Sequence, residues 1–172
     1  KFIRRQNAKY LKLRPTEDGL NITVPRGVSI KWAERYVVDN KEGIVSRSLR
    51  LRERMSDKKP VSGPDKQQYE LFCKMISERV VELSMQSGLR CEKLRIKDMV
   101  SRWGSCSGRN SLSLNVRLGF LPSELTDYVI LHELAHTVAK NHGSGFYEVL
   151  ESICPQHRKL RRALCAYRLV KN

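Results

Sequence analysis

The chain has 172 residues, which suffices for one domain with a small appendage and for a proper hydrophobic core. Its 33 lysine and arginine residues outnumber 18 acidic residues and give a formal charge of +15. No apolar stretch is long enough for a transmembrane helix and no signal peptide is visible, which argues against a membrane protein. The five cysteines are an odd number without CxxC spacing, so we expect a reduced cytoplasmic protein and no disulfide framework.

The excess of positive charge allows two interpretations. Basic residues gather at 1–14, 47–54 and 158–168 without forming a long uninterrupted run. This distribution favours a solvated basic surface, which serves solubility. Attraction to a polyanion such as DNA or RNA is the alternative, and it predicts non-specific nucleic-acid binding that weakens sharply as the salt concentration rises.

The first forty residues predict a β-hairpin followed by a helix. Residues 8–14 and 20–24 alternate apolar with polar side chains on either side of a Glu17-Asp18-Gly19 turn. Ser29 is a residue type that caps helix N-termini, and the helix it begins is expected to run to about Asn40.

After this helix the pattern predicts a second helix and then a linker. Gly43 is expected to separate the two helices, and the second reaches about Met55. Residues 56–64 contain two prolines, one glycine and several charges, which is the composition of a linker. We therefore expect an N-terminal subdomain of a hairpin plus helices over 1–60 and a larger core over 65–172.

The core begins with a helix and a small sheet. From Asp65 to Gly88 the apolar residues recur with helical period. Alternation over 94–99 and 111–115 predicts two strands of a small antiparallel sheet, with a turn over 102–107 between them. The strand 111–115 is a candidate substrate-binding edge, because extended peptides commonly dock by adding a strand to a sheet.

Three helices are predicted in the last third of the chain. Pro122 and Ser123 begin the first of them, and the other two are expected near 144–153 and 156–168. His157 is interpreted as a surface or packing residue near the start of the last helix. Together with the preceding helix and small sheet, these elements predict an α+β fold.

The first of these helices carries the run His132-Glu133-Leu134-Ala135-His136. Four residues advance an α-helix by about 400°, so His132 and His136 lie on one face and their imidazoles can reach the same ion. Apolar side chains surround the motif, and an unpaired buried imidazole would be costly there. The motif therefore predicts one bound Zn²⁺ per chain.

His142 is the predicted third ligand, because a catalytic zinc site uses three protein ligands and one water. On an unbroken helix His142 would lie roughly 15 Å along the axis from His132, too far to share a metal. The helix must therefore end between His136 and His142. Asn141 and Gly143 are residue types that tolerate positive φ, so a left-handed turn is expected to reverse the chain there.

Further motifs accompany the histidines, at 25–27, 102–106, 114–115, 127–129, 132–136, 141–142 and Phe146. Together they resemble, over nearly the whole chain, the YgjP-like metallopeptidases, a zincin group related to the SprT and WLM proteases. The resemblance implies a zincin-like fold, zinc bound by His132, His136 and His142, and a catalytic Glu133. Tyr147 stands where many relatives have tryptophan. Ala139 stands where metzincins have glycine, which places the chain outside that group.

The motif also predicts a reaction. Zinc held by three neutral imidazoles lowers the pKa of a bound water towards ~7, and Glu133 is placed to accept its proton and pass it to the leaving amine. Spacing does not identify the residue that stabilises the oxyanion. Four residues are candidates, although a structural role is the favoured interpretation of each: Tyr128, Tyr147, Arg102 and Arg117.

Three functions remain open from the sequence. The first is a zinc endopeptidase that acts on peptide or protein substrates. The second is a nucleic-acid-associated protease or DNA-binding module of the SprT type, which the charge favours and which is compatible with the first; the SprT and WLM relatives include proteases that act on DNA-linked proteins. The third is a non-catalytic scaffold stabilised by zinc, although such a site has no use for Glu133 and normally closes with a fourth protein ligand.

Overall fold

The computed structural model describes residues 1–16 and 19–171 and divides into two compact units, Lys1–Asp57 and Lys58–Asn172. Each unit has its own cluster of buried apolar side chains, so each is described by itself. No helix among these described residues is long and apolar enough to cross a membrane. The predicted turn residues Glu17 and Asp18 lie outside the described residues.

The first unit contains the predicted hairpin and one strand that was not predicted. β2 (Lys12–Thr16) pairs antiparallel with β3 (Gly19–Pro25), which confirms the hairpin. β1 (Phe2–Arg5) adds to the other side of β3 in parallel. Its four residues show no alternation of apolar and polar side chains, so no pattern marked it as a strand.

Two helices follow the sheet of the first unit. α1 (Ile30–Asp39) begins as expected, because the Ser29 side chain accepts a hydrogen bond from the Trp32 amide at 3.1 Å. The helices are divided at Asn40, whose side-chain amide donates to the Tyr36 carbonyl. The prediction that Gly43 separates them is wrong, since Gly43 lies inside α2 (Lys41–Ser56).

The second unit begins with a strand where a linker was predicted. Residues 59–61 form β4 (Lys59–Val61), which pairs in parallel with β8 (Tyr167–Leu169) at the other end of the unit. The same pairing overturns the last predicted helix, since α6 (His157–Leu164) ends before β8 begins. A strand of three residues whose partner lies more than one hundred positions away leaves no local pattern.

α3 (Lys66–Ser87) confirms the helix that was predicted between Asp65 and Gly88. Asp65 and Gln68 form a reciprocal capping box, in which the Gln68 backbone amide donates to the Asp65 carboxylate at 2.8 Å. Gly88 ends the helix in the left-handed conformation, with φ of 69°, which glycine adopts without steric cost. Four apolar residues of the helix are buried, namely Phe72, Ile76, Val80 and Leu83.

The central sheet is mixed, which corrects the antiparallel arrangement that was predicted. β5 (Lys93–Lys97) runs parallel to β7 (Ser111–Asn115), and β6 (Gly104–Cys106) runs antiparallel to β7. The short β6, which was interpreted as a turn, brings the chain back and so allows β5 and β7 to run in the same direction. The spatial order β5-β7-β6 makes β7 the central strand.

Helices pack on this sheet and close the core. A 3-10 turn (Val116–Phe120) leads into α4 (Ser123–Ala135), and α5 (Ser144–Ile153) precedes α6. α4 contacts α3, α5, α6 and the sheet. Leu112 and Leu114 of β7 are fully buried, as are Ile130 and Leu134 of α4. The predicted α+β class is confirmed, and α4 lies at the centre of the unit.

Arg117 is a buried structural residue. Its side chain is 1% exposed and forms an ion pair with Asp98. The same guanidinium donates to the Val61 carbonyl at 3.0 Å and to the Val170 carbonyl. These bonds connect the backbone beside β4 and β8 to the loop after β5. A buried guanidinium is tolerated only when its donors are satisfied, as they are here.

Candidate metal centre

α4 presents the first two predicted ligands and then stops. The helix ends at Ala135, and His136 is its C-cap residue. Its Nδ1 lies 2.9 Å from the Ala139 carbonyl oxygen, a contact that orients the ring and leaves Nε2 as the nitrogen available to a metal ion. The prediction that the helix ends before His142 is confirmed.

The chain reverses after α4 without the left-handed turn that was expected. Gly143 has φ of −84° and is the N-cap residue of α5, so its backbone is extended. Asn110 is the one non-glycine residue with positive φ in the described part of the chain, so Asn141 does not make such a turn either. A hydrogen bond from the Gly143 amide to the Asn141 carbonyl, at 2.8 Å, helps to shape the reversal.

The reversal brings His142 to the two histidines of α4. One nitrogen of each of His132, His136 and His142 lies within 4.8 Å of the other two. Nε2 of His132 and Nε2 of His142 are 3.1 Å apart. Phe146, which is 1% exposed, packs against all three rings and stacks on His136 with ring centroids 4.4 Å apart. The first turn of α5 therefore holds the rings together from one side.

This donor set fits a zinc ion. Three imidazole nitrogens are ligands that zinc accepts, at about 2.0–2.1 Å each. Tetrahedral geometry then separates neighbouring nitrogens by about 3.3 Å, close to the 3.1 Å between the two Nε2 atoms. Among the described residues no fourth histidine, cysteine or carboxylate joins the cluster, so the set matches an open site with room for water.

The pKa values of His132 and His142 favour the neutral imidazole, which is the form that binds metal. Burial lowers the pKa of His132 to about 4, and the neighbouring His136 and His142 act in the same direction. Partial desolvation also lowers the pKa of the more exposed His142, with help from His136 and from the Arg161 guanidinium. Since neutral imidazole is the ligand form, protons compete little for these nitrogens at neutral pH.

Glu133 lies beside the histidine cluster and is 7% exposed. Burial raises the pKa of its carboxyl group to about 7, against the opposing charge of Arg102. β6 passes directly over this side chain. A methyl group on the Gly104 Cα would lie 2.7 Å from Glu133 Cγ and 2.8 Å from Glu133 Oε1. Gly104 therefore provides the space in which the carboxylate stands, a role that the sequence did not reveal.

We expect Gly104→Ala to lower kcat by about 100-fold, because the carboxylate must move and misplacement by about 1 Å costs this much. Zinc content should stay at the parent level, since the ligands are untouched. Gly108→Ala is the matched control, because a methyl group there meets nothing within 4 Å. Assays of the peptide hydrolysis that the sequence motif predicts, together with elemental analysis, check this in both variants. Equal loss in both variants would contradict the role of Gly104.

Asn115 holds the loop that leads into β6. The side chain is fully buried, and its amide nitrogen donates to the carbonyls of Met99 at 2.7 Å and Arg102 at 2.8 Å. The Asn115 backbone amide donates to the Trp103 carbonyl at 2.9 Å. These bonds supply donors to three backbone carbonyls in the segment between β5 and β6. They fix this segment and so position Gly104 over Glu133.

The four oxyanion candidates occupy different surroundings. Tyr128 is 4% exposed and packs edge-on against His132, with ring centroids 5.8 Å apart. Tyr147 is half-buried, and its ring centroid lies 6.4 Å from that of His142. Arg102 is exposed and acts electrostatically on Glu133. Arg117 is the candidate that the structure contradicts, because its guanidinium is engaged by Asp98 and backbone carbonyls.

The suggestion that 111–115 forms a substrate-binding edge is also wrong. β7 is paired on both sides, with β5 and with β6, and so has no free edge. β6 is an edge strand of this sheet, and it is the one that passes Glu133. Alternating side chains predict a strand, but a central strand and an edge strand can show the same alternation.

Two further residues near the cluster carried no recognisable functional signal. Arg161 lies close enough for its charge to act on His132, His142 and Tyr128. In the sequence it was one member of a basic segment. His157 is confirmed as a packing residue, since it is 3% exposed and its Nε2 lies 3.3 Å from Glu151.

Two histidines one helical turn apart, a third beyond the helix and a glutamate after the first histidine are the arrangement of HExxH metallopeptidases. The chain belongs to the YgjP-like family, whose metallopeptidase domain matches residues 68–167. This match lies within the second unit and includes the three histidines and Glu133. The family that the sequence motifs suggested is confirmed.

Solved metallopeptidase structures are similar to part of the chain. The zymogen of Pyrococcus abyssi abylysin is 21% identical over 55% of this chain and 99% of its own, with a TM-score of 0.47. The zymogen of Methanocaldococcus jannaschii jannalysin is 29% identical over 52% and 96%, with a TM-score of 0.42. A mutant of Wss1 from Saccharomyces cerevisiae is 18% identical over 62% and 94%, with a TM-score of 0.45. Among curated proteins, none matches the chain.

Proposed function

We propose that this protein hydrolyses peptide bonds with one Zn²⁺ held by His132, His136 and His142. The observation that carries the proposal is the convergence of three imidazole nitrogens within 4.8 Å, with a buried carboxylate beside them. The ligand set of three, without a fourth protein donor in the described residues, favours an open catalytic site over a closed structural one.

Glu133 is the proposed general base and acid. A zinc ion at this centre supplies Lewis-acid activation of water and of the scissile carbonyl. The Glu133 carboxylate accepts the proton of the attacking water and then donates it to the leaving amine. Gly104 leaves the space that this side chain requires, and the burial of Glu133 shields it from bulk water.

The edge of β6 is the proposed docking place for the substrate backbone. An extended peptide can add to a free strand edge through main-chain hydrogen bonds, and β6 has such an edge. Because Gly104 in this strand overlies Glu133, a peptide paired with β6 would have its backbone next to the metal centre. This arrangement suits proteins that are locally unfolded or that present an extended segment.

Tyr147 is the candidate that we propose as donor to the oxyanion, because its ring adjoins the exposed ligand His142. We expect Tyr147→Phe to lower kcat by about 100-fold with little change in KM, as loss of one oxyanion donor does. Tyr128→Phe is the matched control, since Tyr128 is buried against His132 and its loss of a hydroxyl should affect kcat much less. Steady-state kinetics of the two variants decide between them; similar kcat values would assign the oxyanion to another group.

The proposal is tested by profiling peptides cleaved by the zinc-loaded protein and by its Glu133→Gln variant. A proteome-derived peptide library should yield a set of new termini with the parent protein that is missing with the variant. No new termini with a fully zinc-loaded parent would leave the scaffold interpretation in place. Nucleic-acid association remains a prediction from charge alone, and no contact of the described residues adds to it.

A further inference from the structure

A basic groove lies next to the metal centre, and its arginine side chains have no part in the chemistry described above. It has a volume of about 440 Å³ and is formed by one side chain of α5, four of α6 and the residue after α6. We call it the arginine groove, and its lining residues are Tyr147, His157, Arg158, Arg161, Arg162 and Cys165.

Three arginines converge on this groove from one face of a single helix. Arg158, Arg161 and Arg162 are spaced i, i+3 and i+4, which places them on the same side of α6. Like charges at these spacings repel each other, so their convergence on one concavity has an energetic cost. An anion bound between them would remove that repulsion.

The protein's own carboxylates neutralise only part of this charge. Glu151 lies 3.7 Å from Arg158 and 3.3 Å from His157. No carboxylate of the described residues lies within ion-pair distance of Arg161 or Arg162. Two guanidinium groups therefore remain available to an external acceptor, and arginine binds carboxylates through two parallel hydrogen bonds.

The groove is adjacent to the metal ligands. The Tyr147 ring lies 6.4 Å from the His142 ring on one side and 6.0 Å from the His157 ring on the other. α6 packs directly on α4, which carries the first two ligands. The charge of Arg161 contributes to lowering the pKa of His132 and of His142, as expected for a guanidinium near the cluster.

We propose that the arginine groove binds a carboxylate group of the substrate, so that the enzyme selects peptides with a negative charge near the scissile bond. The inference rests on the proposed peptidase function. The carboxylate belongs either to an acidic side chain or to the C-terminus of the peptide, and both present the same two oxygens to Arg161 and Arg162. The Tyr147 ring and Cys165 offer apolar surface for the carbon atoms that carry the carboxylate.

Paired synthetic peptides test this directly. Quenched fluorescent peptides that differ only by Glu or Gln at one position, and peptides with a free or an amidated C-terminus, are compared by kcat/KM. We expect about a tenfold preference for the carboxylate member of one kind of pair. Arg161→Gln and Arg162→Gln should bring that ratio close to one. Lys159→Gln removes an equal charge from α6 outside the groove and should preserve the ratio.

The two kinds of pair distinguish the source of the carboxylate. A preference for Glu in amidated peptides assigns the groove to an acidic side chain, and a preference confined to free C-termini assigns it to the peptide end. A ratio near one in both kinds of pair overturns the proposal. So does a preference that survives in both Arg161→Gln and Arg162→Gln, because the carboxylate would then be bound elsewhere.

A binding measurement separates failure of the groove from failure of the peptidase. Zinc-loaded Glu133→Gln is titrated into the same labelled peptides and fluorescence anisotropy is recorded. Tighter binding of the carboxylate member, lost in Arg161→Gln, supports the groove even if the parent protein cleaves no peptide. Equal binding of both members overturns it. Arg161-dependent binding of a labelled oligonucleotide with no discrimination between peptides would assign the groove to nucleic acid and also overturn it.

Discussion

Replacing Glu133 with glutamine should lower kcat by roughly 1000-fold while the protein keeps its zinc and its fold, because loss of a general base costs about 100- to 10,000-fold. Glutamine is nearly isosteric with glutamate, so it fits the space below Gly104. Its amide cannot accept the proton of the attacking water. Steady-state kinetics on a peptide identified by profiling, together with elemental analysis and thermal unfolding, measure the three quantities.

Thermal stability provides a specific control for this variant. Glu133 is buried, and none of the described residues donates a hydrogen bond to its carboxylate. The neutral amide of the glutamine variant therefore avoids the cost of burying a charge. The melting temperature of Glu133→Gln should therefore equal or exceed that of the parent protein. A variant that cleaves peptides at the parent rate would exclude Glu133 as the base.

The second large effect is expected at His142. Loss of a residue that only supports a ligand typically lowers metal affinity by 10- to 100-fold, so loss of a direct ligand should lower it by more than ~100-fold. His142 is exposed, so His142→Ala should change the stability of the metal-free protein by less than about 0.5 kcal/mol. Zinc content after dialysis, zinc titration and unfolding of the metal-free form measure both effects.

His157→Ala is the matched control for the loss of His142. His157 is also a histidine of the second unit, but it is buried beside Glu151 and outside the cluster. Its replacement should leave zinc content unchanged and lower stability by about 1–3 kcal/mol. Full zinc occupancy in His142→Ala would remove the third ligand from the proposed site.

The parts of this site that could be predicted are those encoded by local spacing. Two histidines four residues apart on a helix must share a face, and His142 could reach them only if the helix ended. The structure brings these three residues together as expected. α3 was equally predictable, because Asp65 and Gly88 are explicit signals for the beginning and the end of a helix.

The parts that could not be predicted depend on contacts between distant segments. Lys59–Val61 pairs with Tyr167–Leu169, and neither segment is long enough to show a strand pattern. The same holds for Gly104, whose importance arises from its position over Glu133 and not from its neighbours in the chain. Arg161 shows the same limitation for charge, since the sequence of a basic helix does not reveal which arginine acts on the histidine cluster.

The pairing of β4 with β8 affects how readily the second unit opens at these two segments. The strands that open and close the unit lie side by side, and Arg117 is bonded to the backbone beside both of them. If either strand detached, the buried Arg117 guanidinium would lose a hydrogen-bond acceptor. Opening of β4 or β8 therefore requires much of the second unit to unfold as well. Proteases cleave locally opened segments most readily, and their access follows the free energy of that opening. We therefore expect β4 and β8 to resist proteolysis as long as the core of the unit stays folded.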